Sequence, residues 1–328
     1  MIKKKSVAAF LLAGVLTLSA CTAKEEQTTT TPAETIPAER VVEGDTEGLT
    51  PAVWQVTDPE SGNSIKMMGT IHIIPETTAP VPQYVMDIYN ESDGIAVEYD
   101  VTKVQTDMVI QLTYLSYFVL NDGTLITDHL TPENYEKAKA HLTELGLYNE
   151  TFDSYNASYW ESLITSATVM NLEGMSDSGI DQYFLDIAKQ DGKYVWDIEE
   201  LEDQMNGLTA STDELSNYNI ESMLSLSAEE FESDFMELYD MWAKGDVEGF
   251  EAADAESLAE LPEELKDDYD NYNNLMLTVR NQGMAEKAAE YIKNGDNVFY
   301  MVGFAHFCGD GSVIDLLEEQ GYTVERIH

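Results

Sequence analysis

From about residue 52 onward, short apolar runs alternate with amphipathic stretches. Ala52–Thr57 and Ile65–Ile71 are β-branched and apolar, and a Pro-Glu-Ser-Gly-Asn turn lies between them, so they predict two paired strands. Val81–Glu91 carries Val81, Val85, Ile88 and Tyr89 on one helical face. Gly94–Tyr99 predicts the next strand, with Glu98 at its end. Val104–Leu120 predicts one long apolar helix. Thr131 ahead of Pro132 reads as the cap of a helix that Gly146 stops. Ser158–Asn171, Gly179–Gln190, Leu275–Asn294 and Gly311–Gln320 predict further helices, and Asn219–Asp270 reads as one acidic helical stretch. Lys193–Ile198, Asn297–Val302 and Tyr322–Arg326 predict strands. Strands alternating with helices imply an α/β fold, and the opening hairpin makes its central sheet mixed. The expectation is a single large domain over residues 51–328, a mixed β-sheet flanked by helices.

The pattern before residue 52 is different. Lys3, Lys4 and Lys5 precede an apolar run, Val7–Leu18, too short to span a bilayer as a mature helix. Leu18-Ser19-Ala20-Cys21 then resembles a bacterial lipobox. Residues 1–20 thus read as a lipoprotein signal peptide, and Cys21 as the lipidated residue. Residues 21–50 are rich in Thr, Glu, Pro and Ala and read as a flexible spacer. The expected location is extracytoplasmic, tethered to a bacterial membrane through Cys21. Lipidation would leave Cys308 as the one free thiol and exclude an internal disulfide.

Charge narrows the partners. Asp and Glu number 62 against 17 Lys and Arg, for a formal net charge of −45. Such a surface repels nucleic acid. The sequence has no His-Glu-x-x-His, P-loop or Gly-x-Ser-x-Gly.

Candidate chemistry sits where strands end. Gly69-Thr-Ile-His72 follows one apolar run and Gly303-Phe-Ala-His306 follows another. A single His after a strand is ordinarily structural, but two in matching contexts, with Glu98 and Glu199 at other strand ends, form a set. In open α/β sheets ligands gather at the carboxyl ends of strands. Two imidazoles and a carboxylate (His72, His306 and Glu98) suit a divalent metal with an open water position. A metal-free alternative has one His as general base, oriented by Glu98. Arg280 could hold a substrate carboxylate or an oxyanion, or simply pair with one of the many acidic residues. Asp181 could orient a histidine through its second nitrogen, or cap its helix. Cys308, close after His306, reads as a buried inert thiol.

At these residues the sequence resembles the TraB/GumN family, which is similar to the Tiki proteases and to the erythromycin-esterase and ChaN-like group. The matching pieces are Gly69–His72, the strand ending in Glu98, Gly179–Asp181, Ile198–Gln204, Arg280–Lys287 and Val302–Tyr322, in family order. The resemblance implies an α/β fold and a site built from Gly69, His72, Glu98, Arg280, Gly303 and His306. It also implies a metal-dependent peptidase, with Mn, Co or Zn as the expected ion and a peptide or protein as substrate. Phe307-Cys308 departs from the family pattern. The alternative expectation is a non-catalytic lipoprotein that sequesters a peptide, of pheromone type, or haem.

Overall fold

The computed structural model describes residues 40–41, 46–76, 81–176 and 178–328. The expected signal peptide, the expected lipidation site Cys21 and most of the expected spacer lie outside the described residues. Two spacer positions that are described pack onto the domain. Arg40 donates to both oxygens of Asp191, at 2.5 and 2.7 Å, and Leu49 is buried.

Six strands form one sheet: β1 (Val53–Thr57), β2 (Ser64–Thr70), β3 (Gly94–Val97), β4 (Tyr194–Asp197), β5 (Val298–Gly303) and β6 (Thr323–Arg326). Their order across the sheet is β4-β3-β5-β2-β1-β6. The first four of that order run parallel, while β1 is antiparallel to both β2 and β6. The sheet is therefore mixed, for the reason the hairpin sequence gives. β5 is buried at every position, as a central parallel strand covered on both faces must be.

The helices are α1 (Gln83–Glu91), α2 (Thr102–Thr106), α3 (Met108–Ser116), α4 (Pro132–Glu144), α5 (Ala157–Met170), α6 (Ile180–Asp191), α7 (Leu201–Leu208), α8 (Asp213–Leu224), α9 (Ala228–Lys244), α10 (Val247–Glu260), α11 (Lys266–Asn273), α12 (Val279–Asn294) and α13 (Val313–Glu319). Two sequence expectations are corrected. The helix expected over Val104–Leu120 divides at Asp107, whose backbone is extended and whose carboxylate caps α3 by accepting from the N–H groups of Val109 and Ile110. The acidic stretch expected over Asn219–Asp270 breaks into separate helices. Ser227 and Glu230 form a capping box at the start of α9, Gly245 ends it in the left-handed region, and Pro262 follows α10. Among the described residues no helix is long and apolar enough to cross a membrane.

Candidate active site

The strand order decides which residues meet. Glu199 follows β4, Glu98 follows β3, His306 follows β5 and His72 follows β2. Their strands are adjacent and parallel in that order. Neighbouring strands lie about 4.8 Å apart, so the four side chains form a row along one edge of the sheet. Chain segments far apart in sequence are thereby brought within hydrogen-bonding range.

Glu98 is the hub of this row. Its Oε1 accepts from the Gly303 N–H at 2.6 Å. Its Oε2 accepts from Arg280 Nη2 at 2.5 Å and from Gln204 Nε2 at 3.2 Å. Arg280 also grips Glu199, through Nε at 3.0 Å and Nη2 at 2.8 Å, and donates from Nη1 to the Met276 carbonyl at 3.1 Å. Its guanidinium is 6% exposed and nearly all its donors are committed inside the protein. Of the two sequence readings of Arg280, substrate clamp or partner of a carboxylate, the structure shows the pairing, and the guanidinium positions Glu98. A π-helical segment, Asn274–Thr278, immediately precedes α12 and sets the angle at which Arg280 enters.

His306 is held by a partner that the sequence reading did not single out. Its Nδ1 lies 2.6 Å from Asn281 Oδ1, and Asn281 Nδ2 donates to the Gly311 carbonyl at 3.0 Å. The amide orientation fixed by Gly311 makes Oδ1 the acceptor, so Nδ1 carries the proton. Nε2 then presents a lone pair, 3.7 Å from Glu98 Oε1. His72 is tied in the same manner on the other flank, its Nδ1 2.9 Å from Asp181 Oδ2, while Thr70 Oγ1 donates to Asp181 Oδ1 at 2.5 Å. At 27% exposure His72 is the open side of the row, against 5% for His306.

Two glycines permit this close packing. A Cβ at Gly69 would lie 2.8 Å from the Phe304 backbone, on the turn that carries His306. A Cβ at Gly179 would lie 2.2 Å from the carbonyl of His72. This contact lets α6 start against Ile71, whose carbonyl accepts from the Ile180 N–H at 2.9 Å, and so delivers Asp181 to His72. Gly179→Ala is expected to cost about 1–3 kcal/mol or more, because backbone must move against backbone. Denaturant midpoints measure the cost, and NMR titration of His72 should show its pKa falling as Asp181 recedes. Gly303 is less tightly enclosed, with Glu98 Oε1 at 3.2 Å from such a Cβ.

The protonation states follow from these contacts. Burial opposes charge on Glu98, but Arg280, then His306, His72 and the Gly303 N–H outweigh it and hold the carboxyl well below its usual range. At Glu199 burial prevails over Arg280, and the neighbouring Glu98 charge adds to it, raising the pKa to about 7. Burial, reinforced by Arg280, pushes His306 down to about 3, so it is neutral at physiological pH. Burial also opposes charge on His72, but Asp181 outweighs it and the imidazole rises to about 9. Burial lifts the Cys308 thiol above its ordinary range, and its Sγ lies 3.3 Å from the Phe304 carbonyl, so it is not a thiolate nucleophile.

His306 Nε2 and Glu98 Oε1, which also accepts from the Gly303 N–H, are two acceptors facing one another, an arrangement that a cation between them would satisfy. A tetrahedral ion with bonds of about 2.1 Å holds adjacent ligand atoms about 3.4 Å apart. The 3.7 Å gap and the donor types therefore fit a divalent cation. They form a pair only. Among the described residues no three His, Cys, Asp or Glu side chains are grouped closely enough to hold an ion, so His72 does not close the set.

Comparison with known proteins agrees with the family resemblance of the sequence. The family model described as "TraB/PrgY/gumN family" matches residues 52–326. Two Danio rerio proteins are similar at low identity. "Metalloprotease TIKI2" is 23% identical over 319 residues, covering 84% of this chain and 60% of its own length. "Metalloprotease TIKI1" is 24% identical over 330 residues, covering 84% and 62%. The chain thus spans about six-tenths of the length of these curated relatives. No solved structure matches it.

Proposed function

The chain belongs to the TraB/PrgY/gumN family, and on that premise we propose that it is a peptide hydrolase acting outside the cytoplasmic membrane, anchored through Cys21. Its relatives are metalloproteases by name, which supports hydrolysis as the reaction class. The observation that carries the reading is the His306–Glu98 pair, a neutral imidazole lone pair facing an ionised carboxylate. Glu98 and His306 are the pair that would hold a divalent ion such as Mn²⁺, Co²⁺ or Zn²⁺, with His72 standing beside them on the open flank. When bound, such an ion would polarise the scissile carbonyl and ease deprotonation of water.

The chain's own groups have distinct tasks. Asn281 fixes the His306 tautomer, as an acceptor behind a ligating imidazole does, and Asp181 orients the His72 ring and favours its protonated form. Arg280 and the Gly303 N–H keep Glu98 ionised and aimed at the row. Glu199 offsets part of the Arg280 charge, so the cluster stays attractive to a cation.

The pH dependence can be worked out. Without an ion His72 carries a proton up to about pH 9, whereas His306 is neutral throughout the physiological range. An ion held by Glu98 and His306 would repel the nearby His72 imidazolium, whose charge both groups already feel, and so favour release of that proton. Mn²⁺ affinity should therefore rise by up to about tenfold per pH unit from pH 6 and level off near pH 9. This replaces the transition near 6.5 that free imidazoles would give. Calorimetry in buffers of different protonation enthalpy counts the released proton, and a parallel assay follows cleavage of blocked peptides with and without chelator. Measurable proton release, up to about one per ion, and cleavage lost to chelator and restored by Mn²⁺, are expected. Cleavage undiminished in stripped protein would leave the metal-free histidine scheme in its place.

A further inference from the structure

A second carboxylate lies close to the row without a cationic partner. Glu161, on α5, accepts hydrogen bonds from Ser216 Oγ at 2.8 Å, Asn219 Nδ2 at 2.8 Å and Ser211 Oγ at 3.4 Å. All three donors are neutral, and no Lys, Arg or His among the described residues pairs with it. It lines a cavity of about 20 Å³ together with Ser158, Ser162, Thr165, Ser211 and Tyr272. That is room for one water-sized group. Ser158 is 4% exposed, lines the cavity, and its hydroxyl has no partner among the described residues. The cavity therefore offers one anionic oxygen pair and free hydroxyl lone pairs to a small donor-rich guest.

Its position ties it to the active site. Gln204 of α7 donates to Glu98, and Leu208, one helical turn later, lines the cavity. Arg280 bonds to Met276 four residues before it, and Tyr272, four residues earlier again, lines the cavity. A helical turn advances by about 5.4 Å, so the cavity lies roughly one to two turns from Glu98. The Tyr272 phenol feels both ends: burial and then Glu161 push its pKa up, while Arg280 pulls it down. A lysine side chain, or a few extended residues, spans such a distance.

We propose that this cavity is a subsite for a primary ammonium group of the peptide substrate, with Glu161 as its counter-charge. The inference rests on the hydrolase reading and adds a substrate class to it: peptides carrying a lysine or a free amino terminus beside the cleaved bond. An ammonium offers three donors, the complement of a carboxylate ringed by hydroxyl oxygens. The group is small enough for the cavity, whereas a guanidinium is not. Burial pushes the Glu161 carboxyl above its usual range against the pull of its three hydrogen bonds, and a bound cation would favour its charged form. The chain's formal net charge of −45 steers cationic peptides toward it and repels anionic ones.

The test is binding, so it does not depend on turnover. The full chain is titrated with three peptides: a blocked alanine pentapeptide with central lysine, its norleucine counterpart, and an unblocked alanine pentapeptide. At least about tenfold tighter binding of a peptide with an ammonium group over the norleucine peptide is expected. Preference for the lysine peptide assigns the subsite to a side chain, and preference for the unblocked peptide assigns it to the amino terminus. Glu161→Gln keeps the volume and should erase the preference. Ser162→Leu fills the cavity, leaves all three Glu161 donors in place, and should erase it too. Circular dichroism on both variants verifies that they are folded. Equal affinity for all three peptides, or a preference that survives both substitutions, overturns the inference. Selective binding without any cleavage would sustain the subsite and refute the hydrolase reading. Cleavage indifferent to peptide charge would do the reverse.

Discussion

Arg280→Met is expected to destabilise the protein by about 3–5 kcal/mol at neutral pH, the loss typical when one partner of a buried ion cluster is removed. Arg280 is the cation shared by Glu98 and Glu199, and all three side chains are nearly buried, at 6, 14 and 5% exposure. Removing it leaves two carboxylates facing each other with no positive charge between them. Both would then have folded-state pKa values above those of the unfolded chain. Their stability contribution is present at low pH and lost as pH rises, so acidification should recover part of the deficit. The wild type differs in sign at Glu98. Its depressed pKa contributes stability above the unfolded value near 4.5, lost only as pH falls below that range. Replacing Arg280, Glu98 and Glu199 together by apolar residues should restore most of the stability, because the desolvation cost disappears with the charges. Urea denaturation at pH 5 and pH 7.5 measures all of this. A loss below about 1 kcal/mol for Arg280→Met would show that the cluster is solvated and that Glu98 is not held by it.

Much of the fold was legible because its strands are short apolar runs bounded by turn residues. The mixed sheet followed from the hairpin at Ala52–Ile71, and the helix from Pro132 followed from its Thr131 cap, which accepts from the Asn134 N–H at 3.2 Å. The helix expected over Val104–Leu120 was misread because Asp107 looks like one more polar residue in an apolar face, whereas its carboxylate satisfies the first N–H groups of a new helix. The π-helical segment before Arg280 has no sequence signature, since any helix-forming residues accommodate one extra residue per turn. At the site, strand-end position brought His72, Glu98, Glu199 and His306 forward together. Sequence could not give their lateral order, which depends on β5 inserting between β2 and β3. Asn281 and Thr70 escaped notice because a neutral amide or hydroxyl behind a histidine carries no charge pattern, only a geometry. A polar residue directly after Arg280, on the same helix, was the available signal for Asn281. Glu161 escaped for the opposite reason: among 62 acidic residues it looks like any other until its lack of a cation is seen.

The second large effect concerns activity. His306→Ala removes the imidazole that faces Glu98, and His72→Ala removes the one held by Asp181. If His72, Glu98 and His306 serve one reaction step, each removal disables the same step. Each single variant should then lose about 10³-fold or more in kcat/KM, as removal of one member of a catalytic unit does. Asn281→Ala should lose less, since it frees the His306 tautomer while leaving the ring present. Stability should change little in His72→Ala, because that side chain is the open one of the row. The measurement closest to the central claim is a double-mutant cycle on peptide cleavage: wild type, His72→Ala, His306→Ala and the double variant, with Mn²⁺ present, read by mass spectrometry on a mixed pool of blocked peptides. A double variant within about threefold of either single variant is the result predicted here. Losses that multiply, or a His306→Ala variant that cleaves as fast as wild type, would contradict it.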